Sequence, residues 1–286
     1  MKWGTNPLMT RMMLFSSLFA FVLIMGSDSA GAAGDLVLEG NLVQGGLIFG
    51  NVTPGAEVRV ADRILRVSPK GRFVLGFGRD AEAEVELNVT YPDGSREARL
   101  MPVKARTYDI QRIDGIAKKY VSPPPEVLER ISRETAEIVR VRNLDSPNAL
   151  FESGFVWPVV GPISGVYGSQ RIFNGEPKRP HFGVDVAAPR GTSVTAPADG
   201  VVTLAEPDLY YSGGTVVLDH GHGLTSAFLH MDVVSVKVGQ EIAQGTEIGK
   251  LGSTGRSSGP HLDWRMNWFE ERIDPQLLVG PMPATN

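Results

Sequence analysis

Two short stretches of this chain place ionisable side chains at alternate positions. In Arg179-Pro180-His181-Phe182-Gly183-Val184-Asp185-Val186, an extended backbone would put His181, Gly183 and Asp185 on one face and turn Phe182, Val184 and Val186 to a core, because strand side chains alternate. Gly183 would leave open space between the imidazole and the carboxylate. The same alternation recurs in His261-Leu262-Asp263-Trp264-Arg265-Met266. There His261, Asp263 and Arg265 are separated by apolar neighbours. The chain has no cysteine, so any metal must be held by His, Asp or Glu. Two such stripes side by side could provide three protein ligands and leave a fourth position to water, the arrangement of a catalytic zinc.

All five histidines fall between Trp157 and Leu278, so the chemistry is segregated into one part of the chain. Short apolar runs there are broken by Gly161-Pro162, Gly191, Gly200, Gly213-Gly214, Gly239, Gly245 and Gly259-Pro260, which predicts many short strands. His220-Gly221-His222-Gly223 lies between two such runs and reads as a hairpin, with His220 and His222 as structural rather than reactive histidines. The Gly252 to Pro260 loop is glycine-rich without the lysine of a phosphate loop, and reads as a groove wall where backbone approaches an extended peptide.

Upstream, Asp35 to Ile113 alternates β-rich runs with Pro54-Gly55, Lys70-Gly71 and Asp93-Gly94. The last is a tight-hairpin signal. This predicts a small β-sandwich, serving as a spacer or docking module. Three prolines at 123–125 then precede a helical stretch from Glu126 to about Arg142. Its Val127, Ile131, Ile138 and Val141 fall near one face, with acids early and arginines late as the helix dipole prefers. It reads as a linker helix that packs by that face, or lies across the following groove as a cover.

The first residues read as a leader. Lys2 and Arg11 precede an apolar run from Met12 to Gly26, and Ala30-Gly31-Ala32 offers a small-residue cleavage site. The run is short for a membrane span of about 20 residues, though a retained anchor is the alternative. The formal charge of -4 and the absence of any basic run exclude the electrostatic footprint of a nucleic-acid binder. The expected organisation is a signal peptide over 1–33, an N-terminal β domain over 34–115, a linker with helix over 116–150, a second antiparallel β domain over 151–280 and a tail over 281–286.

Three segments in order carry a resemblance: His181-Phe182-Gly183-Val184-Asp185, Phe228-Leu229-His230-Met231, and Gly252-Ser253-Thr254-Gly255-Arg256-Ser257-Ser258-Gly259-Pro260-His261-Leu262-Asp263. Together they resemble the motifs of the lysostaphin-type (LytM-like) zinc metallopeptidases, family M23, over roughly Trp157 to Pro275. The resemblance implies an all-β, LytM-like fold with a groove over Zn²⁺, and ligands His181, Asp185 and Asp263. It also implies catalytic histidines at His230 and His261, and peptidoglycan peptides as substrate. With the leader it implies an exported protein of the periplasm or cell envelope with no membrane segment in the mature chain, where other envelope proteins are available as partners. An inert domain that binds the wall or activates an amidase is the alternative.

One departure matters. The family's last motif is His-x-His, and here it is His261-Leu262-Asp263. An Asp Oδ and a His Nδ1 are equally many bonds from the backbone, and zinc accepts carboxylate oxygen. Counting ligands alone, two carboxylates and one imidazole would cancel the metal's charge and make its bound water less acidic. The family's tyrosine two residues before the His230 position is Phe228 here. Arg265, on the face of Asp263, either orients it, contacts substrate or is a plain surface residue.

Overall fold

The computed structural model describes residues 36–116 and 118–284; the expected leader lies outside them. Among the described residues no helix is long and apolar enough to cross a membrane.

The N-terminal part is two small antiparallel sheets. Strands β1 (Val37–Gly40), β2 (Leu47–Asn51) and β5 (Arg72–Gly76) form one. Strands β3 (Glu57–Val60), β4 (Arg63–Leu65), β6 (Glu84–Thr90) and β7 (Arg96–Pro102) form the other, in the order β4-β3-β6-β7. Leu47, Phe73 and Leu75 of the first and Val58, Leu87 and Met101 of the second are buried in one core. The Asp93-Gly94 turn joins β6 to β7. Gly94 has φ +86°, which a residue without a Cβ adopts freely, and Asp93 accepts hydrogen bonds from the Ser95 backbone and hydroxyl.

Strand β8 (Ile110–Ile113) leaves this module and runs parallel to β10 (Gln170–Phe173), which pairs in turn with β11 (Glu176–Pro177). Between β8 and β10 come α1 (Lys118–Val121), a single 3₁₀ turn at Pro125–Val127, and α2 (Leu128–Arg142). The apolar stripe of α2 behaves as its spacing predicts. Val141 is buried, with Ile138 and Leu144 beside it, against Leu204, Leu209, Val217, Ala227 and Leu229. Glu134 accepts the Tyr210 amide and pairs with Arg130 one turn earlier.

The remaining strands build one large antiparallel sheet. They are β9 (Ile163–Gly165), β12 (Val184–Ala187), β13 (Ser193–Thr195), β14 (Gly200–Leu209), β15 (Gly213–Gly221), β16 (Leu224–Val234), β17 (Glu241–Ile242), β18 (Glu247–Leu251), β19 (His261–Trp268) and β20 (Glu271–Ile273). The main path is β17-β14-β15-β16-β19-β12-β9, with β18 linking β13 to β16, and β20 on β19. Side chains alternate cleanly across it. Val216, Leu218, Phe228 and Trp264 belong to the main core, while Val217, Ala227 and Leu229 meet α2. Asp263 stands directly opposite Leu229 in the ladder, and directly opposed residues share a face. The candidate centre is therefore on the face that α2 covers.

Two details differ from the expectation. Strand β12 starts at Val184, so His181 and Phe182 precede it, and Phe182 is half-buried rather than a core residue. The hairpin holding His220 is real, but His220 lies at the end of β15 rather than in the turn. It is fully buried. Its Nδ1 lies 2.6 Å from the Asp199 carbonyl, which can only accept, so Nδ1 carries the proton and Nε2 accepts from Ser226 Oγ at 2.7 Å. Burial pushes its pKa down to about 4, against a smaller upward pull from Asp199. The unfolded imidazole binds its proton near 6.5, so this contribution is complete above that pH and is lost as pH falls towards 4. The expected cost, from the pKa difference alone, is about 3 kcal/mol. NMR titration should show the His220 ring neutral at pH 5; protonation near pH 6.5 would remove this source of acid lability.

Candidate metal centre

The centre is assembled at the junction of β12, β16 and β19. Asp185 of β12 and Asp263 of β19 are direct cross-strand partners. Two like charges facing each other across a ladder repel, and burial aggravates this, since Asp185 is 6% and Asp263 0% exposed. The pair is tenable only with cations around it. His181 completes the set: one donor atom each from His181, Asp185 and Asp263 lie within 4.8 Å of one another.

The donors are left open toward a common point. His181 Nε2 and Asp185 Oδ1 are 3.0 Å apart, yet neither atom is in a hydrogen bond, and His181 Nδ1 has no partner either. A buried imidazole with both nitrogens unsatisfied is costly. Ligand atoms about 2.0–2.2 Å from a tetrahedral metal stand at comparable separations from one another. The residues present therefore fit a small divalent cation.

Each carboxylate is also held by an arginine. Arg171 Nη2 donates to Asp185 Oδ2. Arg265 Nε lies 3.0 and 3.1 Å from the two Asp263 oxygens, and its Nη2 also reaches Oδ2. A carboxylate has about four acceptor sites, so these bonds leave room for a metal and orient the ligand oxygens. Of the three roles open to Arg265, the geometry shows orientation of Asp263. Burial works to raise both carboxyls, but their surroundings win. The His181 imidazole foremost draws Asp185 below its usual range, and the Arg265 guanidinium foremost holds Asp263 well below it. The two arginines also change the charge count made from ligands alone. They return two positive charges beside the centre, which offsets the expected loss of acidity in a metal-bound water.

Gly183 does not provide open space. A Cβ there would stand 2.5 Å from Asp263 Oδ1, 2.6 Å from the Trp264 carbonyl and 2.7 Å from Arg265 Cγ. The space is filled by the Asp263–Arg265 pair, and glycine is what admits it.

His230 and His261 lie beside the carboxylates with ring centroids 4.9 Å apart and their planes tilted by 52°. His230 sits in β16 where the pairing with β15 shifts register, at φ +66°, a conformation that costs non-glycine residues energy and recurs at functional sites. It is held by its amide on the Ser212 carbonyl at 2.8 Å, and by Nδ1 on the Thr254 carbonyl at 2.8 Å. His261 Nδ1 meets the Gly259 carbonyl at 2.8 Å. Carbonyls only accept, so both rings carry their proton on Nδ1 and present a basic Nε2. His261 Nε2 lies 3.8 Å from Asp185 Oδ1. Burial, reinforced by the neighbouring His261, pushes the His230 pKa down to about 4, so its imidazole is neutral at pH 7.

The loop from Gly252 to Pro260 positions both rings. Thr254 staples it to the sheet, its Oγ1 donating to the Met231 carbonyl at 2.8 Å and accepting from Gly214 N–H at 2.9 Å. The structure thus brings His181, Asp185, Asp263, His230 and His261 together and leaves His220 and His222 outside. His222 Nε2 donates to the Pro147 carbonyl at 3.2 Å. Arg171 is the partner that sequence reasoning missed. Nothing in Ser169-Gln170-Arg171-Ile172 marks it.

A β domain with an imidazole and two carboxylates converging on one point, and two further imidazoles alongside, has the make-up of a mononuclear metal centre. Residues 179–275 match the model described as Peptidase family M23, and this segment is an M23-family domain. The peptidoglycan DD-endopeptidase ShyA of Vibrio cholerae serotype O1 is 41% identical over 87 residues, covering 30% of this chain and 20% of that protein. The DD-carboxypeptidase/endopeptidase Mpg of Neisseria meningitidis serogroup B is 38% identical over 105 residues, covering 37% of this chain and 24% of that protein. The chain thus spans about a quarter or less of these curated relatives. The crystal structure of an M23 protein from Pseudomonas aeruginosa superposes with a TM-score of 0.65 at 28% identity, covering 84% of this chain and 96% of that one.

Proposed function

We propose that this chain is an exported zinc metallopeptidase that hydrolyses peptide cross-links or stems of peptidoglycan in the cell envelope. One observation carries the reading. Asp185 and Asp263 face each other across a buried ladder beside an imidazole whose ring nitrogens have no hydrogen-bond partner. Arg171 and Arg265 already balance the two carboxylates, and the unpartnered donor atoms that remain form a set that suits zinc. The similarity to peptidoglycan endopeptidases supports the substrate, and the leader-like first 33 residues support export.

His181, Asp185 and Asp263 would hold the zinc, with Arg171 and Arg265 fixing the carboxylates. When bound, the metal supplies Lewis acidity, polarising a carbonyl and acidifying a water. The chain's residues do the rest. His230 and His261, each with its proton pinned on Nδ1 by a backbone carbonyl, present Nε2 lone pairs to the same space. One takes the attacking water's proton as general base. That proton then passes from Nε2 to the leaving amine, and the other ring donates to the developing oxyanion in the fraction of molecules in which its Nε2 has taken a proton from solvent. Phe228 is buried in the main core with no hydroxyl to contribute.

The test is direct. Protein purified without chelator should contain about one zinc per chain, as a three-ligand site implies, and should release soluble muropeptides from purified sacculi until a chelator is added. Metal-free protein under gentle purification, with sacculi intact, removes the proposal. Stimulation of a separate amidase without intrinsic cleavage would favour the inert alternative.

A further inference from the structure

Arg256 differs from the two arginines bound to the carboxylates of the centre. Arg171 is spent on Asp185 and Arg265 on Asp263. Among the described residues no carboxylate or other acceptor meets the Arg256 guanidinium. It lies instead against two aromatic rings, its Cζ 5.1 Å from the centroid of Phe173 and 4.6 Å from that of Tyr211. Contact with ring faces recovers part of the lost hydration, and it fixes the direction of the planar fork. A half-buried cation without a counter-ion is otherwise unfavourable. Its surroundings agree: burial, then Arg265, draw its pKa below the ordinary arginine value.

The clamp is made where three segments meet at the edge of the centre. Phe173 closes β10, the strand whose Arg171 holds Asp185. Tyr211 is in the β14–β15 turn, and its carbonyl accepts the Arg256 amide at 2.7 Å. Arg256 itself follows Thr254, which anchors His230, in the loop that leads to His261 at the start of β19. A guanidinium oriented by two rings, short of an anion and placed on the loop whose carbonyls hold both imidazoles, is a receptor waiting for a carboxylate. Arginine takes a carboxylate by two parallel N–H···O bonds, a geometry that lysine cannot reproduce.

We propose that Arg256 is a specificity-determining residue that receives a free carboxylate of the peptide, so that the centre selects anionic peptides over their amidated counterparts. This rests on the peptidase reading above.

The experiment compares two synthetic peptides that differ only in a free carboxylate or a carboxamide beside the scissile bond. Wild-type protein should favour the carboxylate peptide in kcat/KM by about 10–100-fold, the scale of a hydrogen-bonded charge. Arg256→Gln should bring that ratio close to unity, chiefly through KM, and Arg256→Lys should restore only part of it. A second readout needs no turnover. With metal chelated, calorimetric titration should show the carboxylate peptide losing affinity in Arg256→Gln by a similar factor. The variant should melt no lower than wild type, because it loses an unpaired charge. A preference that survives Arg256→Gln, or a wild type indifferent to the carboxylate, overturns the proposal. Discrimination in binding with neither peptide cut by wild type would support the carboxylate site and count against the peptidase reading instead.

Discussion

Asp263→Ala is expected to empty the centre of metal. The side chain is fully buried, is one of three converging donors, and lies directly opposite Asp185. With only His181 and Asp185 left, zinc content should fall from about one per chain to a small fraction of that, since two protein ligands make a poor site. Hydrolysis should fall with it. The substitution also strands Arg265 without its anion. Breaking a buried pair costs roughly 3–5 kcal/mol; the low end applies because the Arg265 side chain keeps 22% exposure. Elemental analysis and urea unfolding of the same preparation separate the two effects. Asp263→Asn controls for shape, keeping the side-chain outline while removing the charge that both Arg265 and a metal would use. Undiminished zinc in Asp263→Ala would take Asp263 out of the ligand set, and with it the argument that a carboxylate replaces the family's imidazole.

The complementary experiment removes a proton carrier and leaves the donors alone. His230→Asn is the suitable variant, because asparagine tolerates the φ of +66° better than most residues and its amide can still donate to the Thr254 carbonyl. Zinc content should stay at about one per chain while kcat drops by about 10²–10⁴-fold, the usual worth of a positioned general acid or base. KM should change little. If zinc leaves together with activity, His230 is a ligand and not a proton carrier. The companion His261→Asn should show the same separation, and the smaller of the two losses identifies the histidine that stabilises the oxyanion.

What could be read from the chain, and what could not, follows from the range of the interactions. The alternation in His261-Leu262-Asp263-Trp264 is local, and β19 shows it unaltered, with Leu262 and Trp264 wholly buried. The stripe of α2 was legible for the same reason. His181 to Asp185 was legible as a spacing but not as a strand, because β12 begins only at Val184 and Phe182 is freed from the alternation. Gly183 misled, since an absent side chain does not say what fills its place; the answer lies on another strand, in Asp263 and Arg265. The guanidinium on Asp185 was hidden for a similar reason. Arg171 reaches that carboxylate only because β10 stands beside β8 and the chain returns through β12. The strained backbone of His230 coincides with a register shift against a partner strand, β15, which no single stretch of sequence encodes.

The parallel pairing of β8 with β10 bears on the order in which the molecule can be built. Its register joins Gln111 to Arg171, sixty positions apart in the chain, and such closures come late because loop entropy must be surrendered before the contact repays it. Asp185 and Asp263 are further apart still, at seventy-eight positions, so the donor pair and the arginine strand beside it are both products of long-range closure. Metal capture is then a finishing event in maturation: a chain in which either closure is missing lacks a donor pair or one of the hands that aims it.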